Sequence, residues 1–388
     1  MYYQSKLILC YFMRMNRLRE LDFLRGIAII LVLLRHISLS GFTTNLGWIG
    51  VDLFFVLSGF LVSRLLFEEY LQFGNIEPKL FLIRRGFKIY PIYYIFYVPY
   101  LLIKLRSNGL NVYGLLSDLL FIQNYTFGWG YAYVASWSLA VEEHFYFGFA
   151  ILLWLGLKTR KIVLEKTNDH MNSDFSFGKV LIVFLMLIFL IRVLFNSSVF
   201  GDFSFVKLYT MTHLRMDSLI MGVLISYFFT FHFNLMNRFF TKNRNLLLLI
   251  SFFGLIWTPF LDPGFSYFVK TLGFSFLYIS FGILLLFTLL TTNINELLNK
   301  YFSRILVDYV SKIGFCSYSI YITHGLVIIL VPVLIKYTVG TDFPDNRYLL
   351  FFIKFTLSIL IGVLSTYKME RYFLQVRDRY FPRRFYTN

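Results

Sequence analysis

The stretch "LDFLRGIAIILVLLRHISLS", residues 21–40, is apolar enough to cross a bilayer, yet it carries charged and titratable groups that hydrocarbon disfavours. From Arg25 to His36 is eleven residues, which at 100° per residue returns to nearly the same helix face and rises roughly 16 Å. We therefore predict that both side chains line one stripe of a helix, with Arg25 near its cytoplasmic end and His36 near its outer end. Asp22 lies one turn before Arg25 and is predicted to pair with it.

The rest of the chain is equally apolar. Of its 388 residues, 58% are hydrophobic and the mean hydropathy is +0.66, whereas soluble domains are about 45–50% apolar. A spanning helix needs roughly 20 mostly apolar residues. We predict an all-α polytopic membrane protein of about ten spans, at 23–39, 49–67, 89–105, 136–157, 180–198, 209–230, 246–262, 269–291, 314–335 and 348–368.

The sequence divides into one long membrane domain with short flanks. We predict a cytoplasmic extension at 1–20, an integral-membrane domain at 21–373 and a basic cytoplasmic tail at 374–388. Because the strong apolar pattern begins only after Met15, residues 1–14 are interpreted as an upstream extension of the reading frame that is not native.

The net charge of +16 first suggests an anionic partner. The basic residues, however, lie mostly in short loops on one side of the predicted spans and match no nucleic-acid-binding motif. The positive-inside rule therefore places both termini in the cytoplasm. We expect the protein in the cell (inner or plasma) membrane. Cys10 and Cys316 are the only cysteines, so neither a disulfide framework nor a metal site is indicated.

Asp52 is embedded in the second apolar run, "GVDLFFVLSGFL", close to the predicted outer level of His36. A carboxylate in a span is costly unless it faces a partner or water, and is therefore a candidate functional residue. An aspartate beside a histidine fixes its tautomer and stabilises the imidazolium that forms when the ring takes a proton. We predict that Asp52 and His36 form a catalytic dyad.

Two later segments add further candidates. In "SWSLAVEEHFYF", adjacent residues point about 100° apart, so at most one of Glu142 and Glu143 readily faces the bundle interior. Ser138 shares a face with Glu142, which favours Glu142. His324 lies within "CSYSIYITHGLVI" and is a supporting candidate, although a histidine at such a position is as often a hydrogen-bonded packing residue.

Charged residues also cluster at the ends of two predicted spans. "RRGFKIYP" places Arg84, Arg85 and Lys88 on the cytoplasmic side, either as a positive-inside signal or as a phosphate site, since forked guanidinium groups fit phosphate oxygens. "HLRMDSLIMG" places Arg215 and Asp217 at the outer start of the sixth span, where they are predicted to form an interfacial ion pair.

Taken in order, these motifs resemble one family. The matches are "LDFLRGIAIILVLLRH", "GVDLFFVLSGFL", "RRGFKIYP", "WSLAVEEHFY", "SYSIYITH" and "MERYF", and they extend over most of residues 21–373. The chain resembles the integral-membrane O-acyltransferases of acyltransferase family 3. Each motif alone is weak, but the ordered set is highly specific.

The resemblance implies transfer of an acyl group, usually acetyl from acetyl-CoA, to a hydroxyl of a cell-envelope glycan or another surface or secreted acceptor. Acyl-CoA would be a co-substrate, with no permanently bound cofactor and no metal. The resemblance further implies that Arg25 and His36 are essential, that Arg84 and Arg85 help to bind the donor, and that Glu142 belongs to a signature motif.

These expectations combine into a mechanism. A tunnel lined by Arg25 and His36 would hold the donor arm across the bundle, with phosphates at the inner cations, including Lys88, and the thioester near His36. His36 would act as general base, oriented by Asp52 or Glu142. A glycan or lipid-linked saccharide would reach it from the outer side.

Other interpretations of the sequence stay open. Intramembrane His, Asp and Glu also serve proton-coupled transporters or flippases for lipid-linked saccharides, and a structural or receptor-like membrane protein is a third class. Acceptor identity, acyl chain length and the choice between direct transfer and an acyl-enzyme are not determined by the sequence.

Overall fold

The computed structural model describes residues 18–164, 176–197, 204–264, 266–338 and 346–384. Every regular element in these ranges is helical, as predicted. The first half contains α1 Arg19–His36, α2 Gly41–Gly47, α3 Gly50–Phe73, α4 Pro78–Asn108, α5 Val112–Leu119, α6 Gln123–Thr126, α7 Trp137–Lys158 and α8 Ser176–Asn196. The second half contains α9 Phe205–Thr210, α10 Thr212–Arg215, α11 Asp217–Phe231, α12 Phe233–Leu255, α13 Phe274–Leu290, α14 Ile294–Phe302, α15 Arg304–Phe315, α16 Ser317–Thr338, α17 Arg347–Ser365 and α18 Arg371–Tyr380. The proposed extension at 1–14 lies outside the described residues.

Several of these helices are long and apolar enough to cross a membrane. Six helical segments meet that condition by length and composition, and the pair α11 and α12, which is bent by 112°, raises the number to seven at most. Helix α1 is not among these segments because it carries too many charged side chains, although much of it is buried inside the bundle. The chain is therefore an all-α multi-pass membrane protein, and the count of ten spans stays a prediction.

Helix α1 gives the bundle its direction. We call the end where α1 begins, at Arg19, the inner end, and the end where it finishes, at His36, the outer end. Along its inner half α1 packs closely against α15. The two backbones are so close that a Cβ on Gly26 would collide with the Val310 carbonyl oxygen. Arg19 fastens this pair through a 2.8 Å Nε contact to Asp308. The outer half of α1 is left to face other helices.

The most extensive helix pair is α3 against α11. Glycines on both helices allow the backbones to touch: a Cβ on Gly59 would overlap the Leu219 carbonyl oxygen, and one on Gly222 would overlap that of Val56. Small residues at such crossings are typical of helix packing in membranes, where close van der Waals contact drives association. The crossing fixes the register of the charged residues that these two helices carry.

Replacing Gly59 with valine should therefore destabilise the fold by about 1–3 kcal/mol, the usual cost of overpacking, because neither backbone can move away without breaking its helix. The measurement is the thermal unfolding midpoint of the purified protein in detergent. Gly148→Ala in α7 is the matched control, since a Cβ there meets no atom within 4 Å. Equal midpoints for the two variants would contradict the close crossing.

Candidate active site

His36, the last residue of α1, has one ring nitrogen occupied and one available. Its Nδ1 lies 3.0 Å from the Val32 carbonyl oxygen, which can only accept, so Nδ1 carries the proton and Nε2 presents a lone pair. The side chain is exposed. Its ring centroid lies 4.9 Å from that of His324, which is 1% exposed. The His36 ring is thus accessible on one side and packs against the buried His324 on the other.

His324 has the same hydrogen-bond arrangement. Its Nδ1 donates to the Tyr321 carbonyl oxygen at 2.6 Å, which leaves Nε2 unprotonated in the neutral ring. The Tyr321 hydroxyl donates to the Ala135 carbonyl oxygen at 2.9 Å and accepts from Ser138 Oγ at 2.6 Å. Tyr321 therefore joins the two supporting residues predicted from the sequence, Ser138 and His324. Tyr321 was not among the residues predicted from the sequence, although it lies one turn before His324 in the same motif.

Glu142 lies further toward the inner end. It is within hydrogen-bonding reach of Ser58 and Tyr146, and the charges of Arg85 and Arg25 act on it. The Arg85 guanidinium lies 5.5 Å from the centroid of the Tyr146 ring. The structure thus brings Arg25, Arg85 and Glu142, three of the predicted site residues, into one polar cluster on three different helices.

Glu143 requires a correction. The sequence predicted that only Glu142 would readily face the bundle interior, but Glu143 is 5% exposed and accepts a hydrogen bond from the Tyr90 hydroxyl at 2.6 Å. Because α4 packs beside α7, adjacent glutamates on α7 each find polar partners inside the protein. Helix α7 is therefore packed on two sides, so both glutamates lie inside the protein and not only the one on the predicted polar face.

The predicted donor-binding cations separate into two kinds. Arg84 donates to Asp378 Oδ1 at 2.8 Å and to the Phe381 carbonyl oxygen, and Lys88 forms an ion pair with Glu370. Among the described residues, no carboxylate lies within ion-pair distance of Arg85. Arg84 and Arg85 are adjacent on α4, and their side chains therefore point in different directions. Arg84 contacts α18, and Arg85 contacts α7.

Two further carboxylates, those of Asp22 and Glu370, pair with cations near the inner end. Arg25 Nη1 lies 3.9 Å from Asp22 Oδ1, which confirms the predicted pair one helical turn apart. Glu370, beyond its contact with Lys88, accepts from Ser319 Oγ at 2.7 Å. Glu370, just after α17, therefore links α4 to α16, whereas the Asp22 pair lies within α1.

The predicted dyad of Asp52 and His36 is not formed. Arg215 Nη2 lies 3.0 and 2.9 Å from the two carboxylate oxygens of Asp52, and Ser218 Oγ donates to it at 3.0 Å. Within the described ranges no hydrogen bond joins Asp52 to His36. A buried carboxylate gains most from a cation that supplies both charge and hydrogen bonds, and Arg215, at the end of α10 just before α11 begins, supplies one.

The predicted pair of Arg215 and Asp217 is also wrong. Asp217 instead forms a buried ion pair with Arg192 of α8. Both guanidinium groups contact Phe274: the Cζ atoms of Arg215 and Arg192 lie 3.8 and 5.2 Å from the centroid of its ring. Arg192 was detectable in the sequence, because it is the lone charge within the apolar run "LMLIFLIRVLF".

The outer loop between α4 and α7 is ordered around one carboxylate. Asp118 is buried and accepts from the Tyr131 and Ala132 amides at 2.8 and 2.9 Å and from the Tyr97 hydroxyl at 3.0 Å. Burial raises its pKa above the ordinary range, because desolvation outweighs these donors. The loop sets Tyr133, whose hydroxyl donates to the Tyr321 carbonyl oxygen, beside His324, with ring centroids 6.3 Å apart.

Comparison with known proteins identifies the family to which this chain belongs. A family model described as an acyltransferase domain matches residues 18–368. The chain belongs to acyltransferase family 3. The matched range of this family 3 acyltransferase includes both the outer histidines and the inner cluster of cations. No solved structure matches it.

Curated relatives of this acyltransferase are named for acetyl transfer. It is 29% identical over 372 residues to a protein of Staphylococcus aureus strain COL that is provisionally named an O-acetyltransferase, with 91% of this chain and 56% of the relative covered. It is 31% identical over 164 residues to the peptidoglycan O-acetyltransferase OatA of Listeria monocytogenes, covering 38% of this chain and 26% of the relative. The chain thus spans about half the length of the first of these relatives.

Proposed function

We propose that this protein transfers an acyl group, with acetyl the expected case, from cytoplasmic acyl-CoA to a hydroxyl of a cell-envelope glycan. The observation that carries the proposal is the exposed His36 with its tautomer fixed by Val32, at the outer end of a polar path that starts among cations at the inner end. The name of the Listeria relative, a peptidoglycan O-acetyltransferase, supports a glycan acceptor.

The polar path passes from helix to helix through the bundle. It leads from Arg25 and Arg85 to Glu142, then to the pair Ser138 and Tyr321, and ends at the two histidines. Arg25 and His36 are about 16 Å apart along α1. An extended donor with phosphates at one end and a thioester at the other suits such a path better than a compact substrate.

At the outer end, His36 supplies the acid–base chemistry. Nε2 removes the proton from the acceptor hydroxyl as its oxygen attacks the thioester carbonyl carbon. The carbon–sulfur bond then breaks, and the imidazolium returns the proton to the leaving thiolate. The Val32 carbonyl oxygen keeps Nδ1 protonated and stabilises the positive ring between these steps. Asp52 takes no direct part and acts by fixing the helices that frame the site.

At the inner end, Arg85 is the proposed phosphate ligand. The Arg85 guanidinium lies over the Tyr146 ring and near Glu142 without an ion pair, whereas Arg84 is already bound to α18 and the residues that follow it. A planar fork of N–H donors matches phosphate oxygens. Arg25, on the adjacent face of α1, adds charge at the same level.

Arg85→Gln should raise the KM for acetyl-CoA on the order of tenfold or more, because a charged hydrogen bond to phosphate is lost, with little change in kcat. Arg84→Gln should have a smaller effect, since its partners Asp378 and Phe381 belong to the protein. Initial rates over a donor concentration series measure both constants. A larger KM change for Arg84→Gln than for Arg85→Gln would contradict this division.

The proposed function is tested with the purified protein in detergent, radiolabelled acetyl-CoA and a peptidoglycan oligosaccharide as acceptor. We expect label in an alkali-labile ester on the sugar, located by mass spectrometry. Movement of a lipid-linked saccharide across vesicles without donor, and without ester formation, would instead identify a flippase and overturn the proposal.

A further inference from the structure

The chain turns back toward the inner ends of α3 and α4 after α18. We call residues 377–384 the strap. Its first anchor is Arg84, which donates to Asp378 Oδ1 at 2.8 Å and to the carbonyl oxygen of Phe381. The Phe381 ring also packs on Phe87, with centroids 5.5 Å apart. Polar and apolar contacts therefore fix the same point of the strap on α4.

The second anchor is Arg384. Its Nη1 donates to Glu69 Oε1 and to Asn75 Oδ1, both at 2.9 Å, and its Nε lies 3.5 Å from Glu77 Oε1. The guanidinium stacks on Phe73, 4.1 Å from the ring centroid. Four contacts to the end of α3 and the turn that follows it are many more than an incidental surface arginine makes, so this end of the strap is held in one position.

Arg383 lies between the two anchors and is held near other cations. It is exposed and lies two residues after Phe381, whose carbonyl oxygen accepts a hydrogen bond from Arg84, so its charge is near Arg84 and Arg85. In the part of the chain that the structure describes, no carboxylate forms an ion pair with it. Arg84 is paired with Asp378, but Arg85 and Arg383 have no ion-pair partner among the described residues. Like charges held near each other in this way are typical of a surface that binds a polyanion.

We propose that Arg383 is a phosphate-binding residue of the donor site and that Arg384 is the positioning residue that holds it there. The inference rests on the proposed function, because it takes acyl-CoA to be the donor. Coenzyme A carries a diphosphate and a separate 3′-phosphate. Arg84 and Arg85 near the start of α4 carry too little positive charge to neutralise all of these phosphates. The strap supplies the additional guanidinium from the far end of the chain.

The test compares Arg383→Gln with Arg379→Gln, a matched control on the same segment whose exposed guanidinium lies over Tyr380. Binding of coenzyme A and of dephospho-coenzyme A to the full-length protein in detergent is measured by titration calorimetry. Arg383→Gln should weaken coenzyme A binding on the order of tenfold, while Arg379→Gln binds as the wild type does. A loss confined to coenzyme A assigns Arg383 to the 3′-phosphate, and an equal loss for both ligands assigns it to the diphosphate.

Arg384→Gln tests the positioning role. It should raise the donor KM without lowering kcat, and the thermal midpoint should stay within the range of the Arg379→Gln control, because Glu69 keeps its hydrogen bond from the Glu77 amide. A fall in kcat with unchanged KM would show that the strap serves only the fold and would overturn the positioning role.

The outcomes separate the inference from the function on which it rests. Wild-type protein that binds coenzyme A, together with Arg383→Gln protein that binds it equally well, overturns the inference and leaves the proposed function standing. Wild-type protein that binds no coenzyme A overturns both, and the wild-type titration alone reveals that case. Arg383→Lys, which keeps the charge but loses the fork, should bind with intermediate affinity.

Discussion

Replacing His36 with alanine is expected to lower acyl transfer by about 10²–10⁴-fold, the usual loss when a positioned general base is removed. The ring has its Nδ1 bound to Val32 and no other acid or base is joined to it by a hydrogen bond in the described ranges, so water must take over the proton transfer. The rate of ester formation at saturating acetyl-CoA measures the effect. Membrane yield and donor affinity should remain close to wild type, because His36 is exposed.

A histidine elsewhere controls for general effects of the substitution. His232→Ala, at the turn between α11 and α12, removes the same ring at the opposite end of the bundle and should leave the rate of transfer unchanged. Retention of full activity in the His36→Ala variant would remove the general base from the mechanism. Burst kinetics with a trapped acyl-histidine would replace direct transfer by an acyl-enzyme.

Replacing Arg215 with leucine should destabilise the protein by about 3–5 kcal/mol, since it leaves the Asp52 carboxylate buried without its cation. Both oxygens of Asp52 contact Arg215, and both side chains are at most 1% exposed. The expected result is a strongly lowered unfolding midpoint in detergent and reduced membrane yield. Arg347→Gln, at an exposed arginine, is the control.

The double variant Asp52→Asn with Arg215→Leu separates pairing from packing. Removing the charge on both sides should recover much of the stability lost by Arg215→Leu alone, because no unpaired ion remains. A double variant less stable than the sum of its single variants would contradict the pairing. An Asp52→Asn variant that folds normally yet loses turnover would revive a direct role of Asp52 at His36.

Local features of the site were predictable because they depend on helical geometry alone. The pairing of Asp22 with Arg25 follows from a spacing of three residues, and the shared face of Arg25 and His36 follows from 100° per residue. His324 was marked as a supporting residue by its position inside an apolar run, and Ser138 by the helix face that it shares with Glu142. Tyr321, which joins them, was not marked, because a tyrosine in an aromatic-rich chain carries no distinctive signal.

The long-range pairings were not predictable, since several cations compete for each carboxylate. Asp52 had His36 as a plausible partner at the same membrane level, but the structure gives it Arg215, which is 163 residues away in the sequence. The choice depends on the glycine crossing of α3 and α11, which brings the two side chains together. Arg84 likewise binds Asp378 because α18 packs along α4, and no periodicity within either helix indicates that contact.

The sequence by itself therefore determined the all-helical membrane fold, the family and the face of α1 that carries Arg25 and His36. Hydrophobic composition and helical period act within one segment, so they are visible without the rest of the chain. Only the tertiary structure decided which charges neutralise one another and which, such as those of Arg85 and Arg383, stay without a carboxylate partner among the described residues. That decision depends on which helices approach closely enough for a hydrogen bond, and close approach is a property of the assembled bundle.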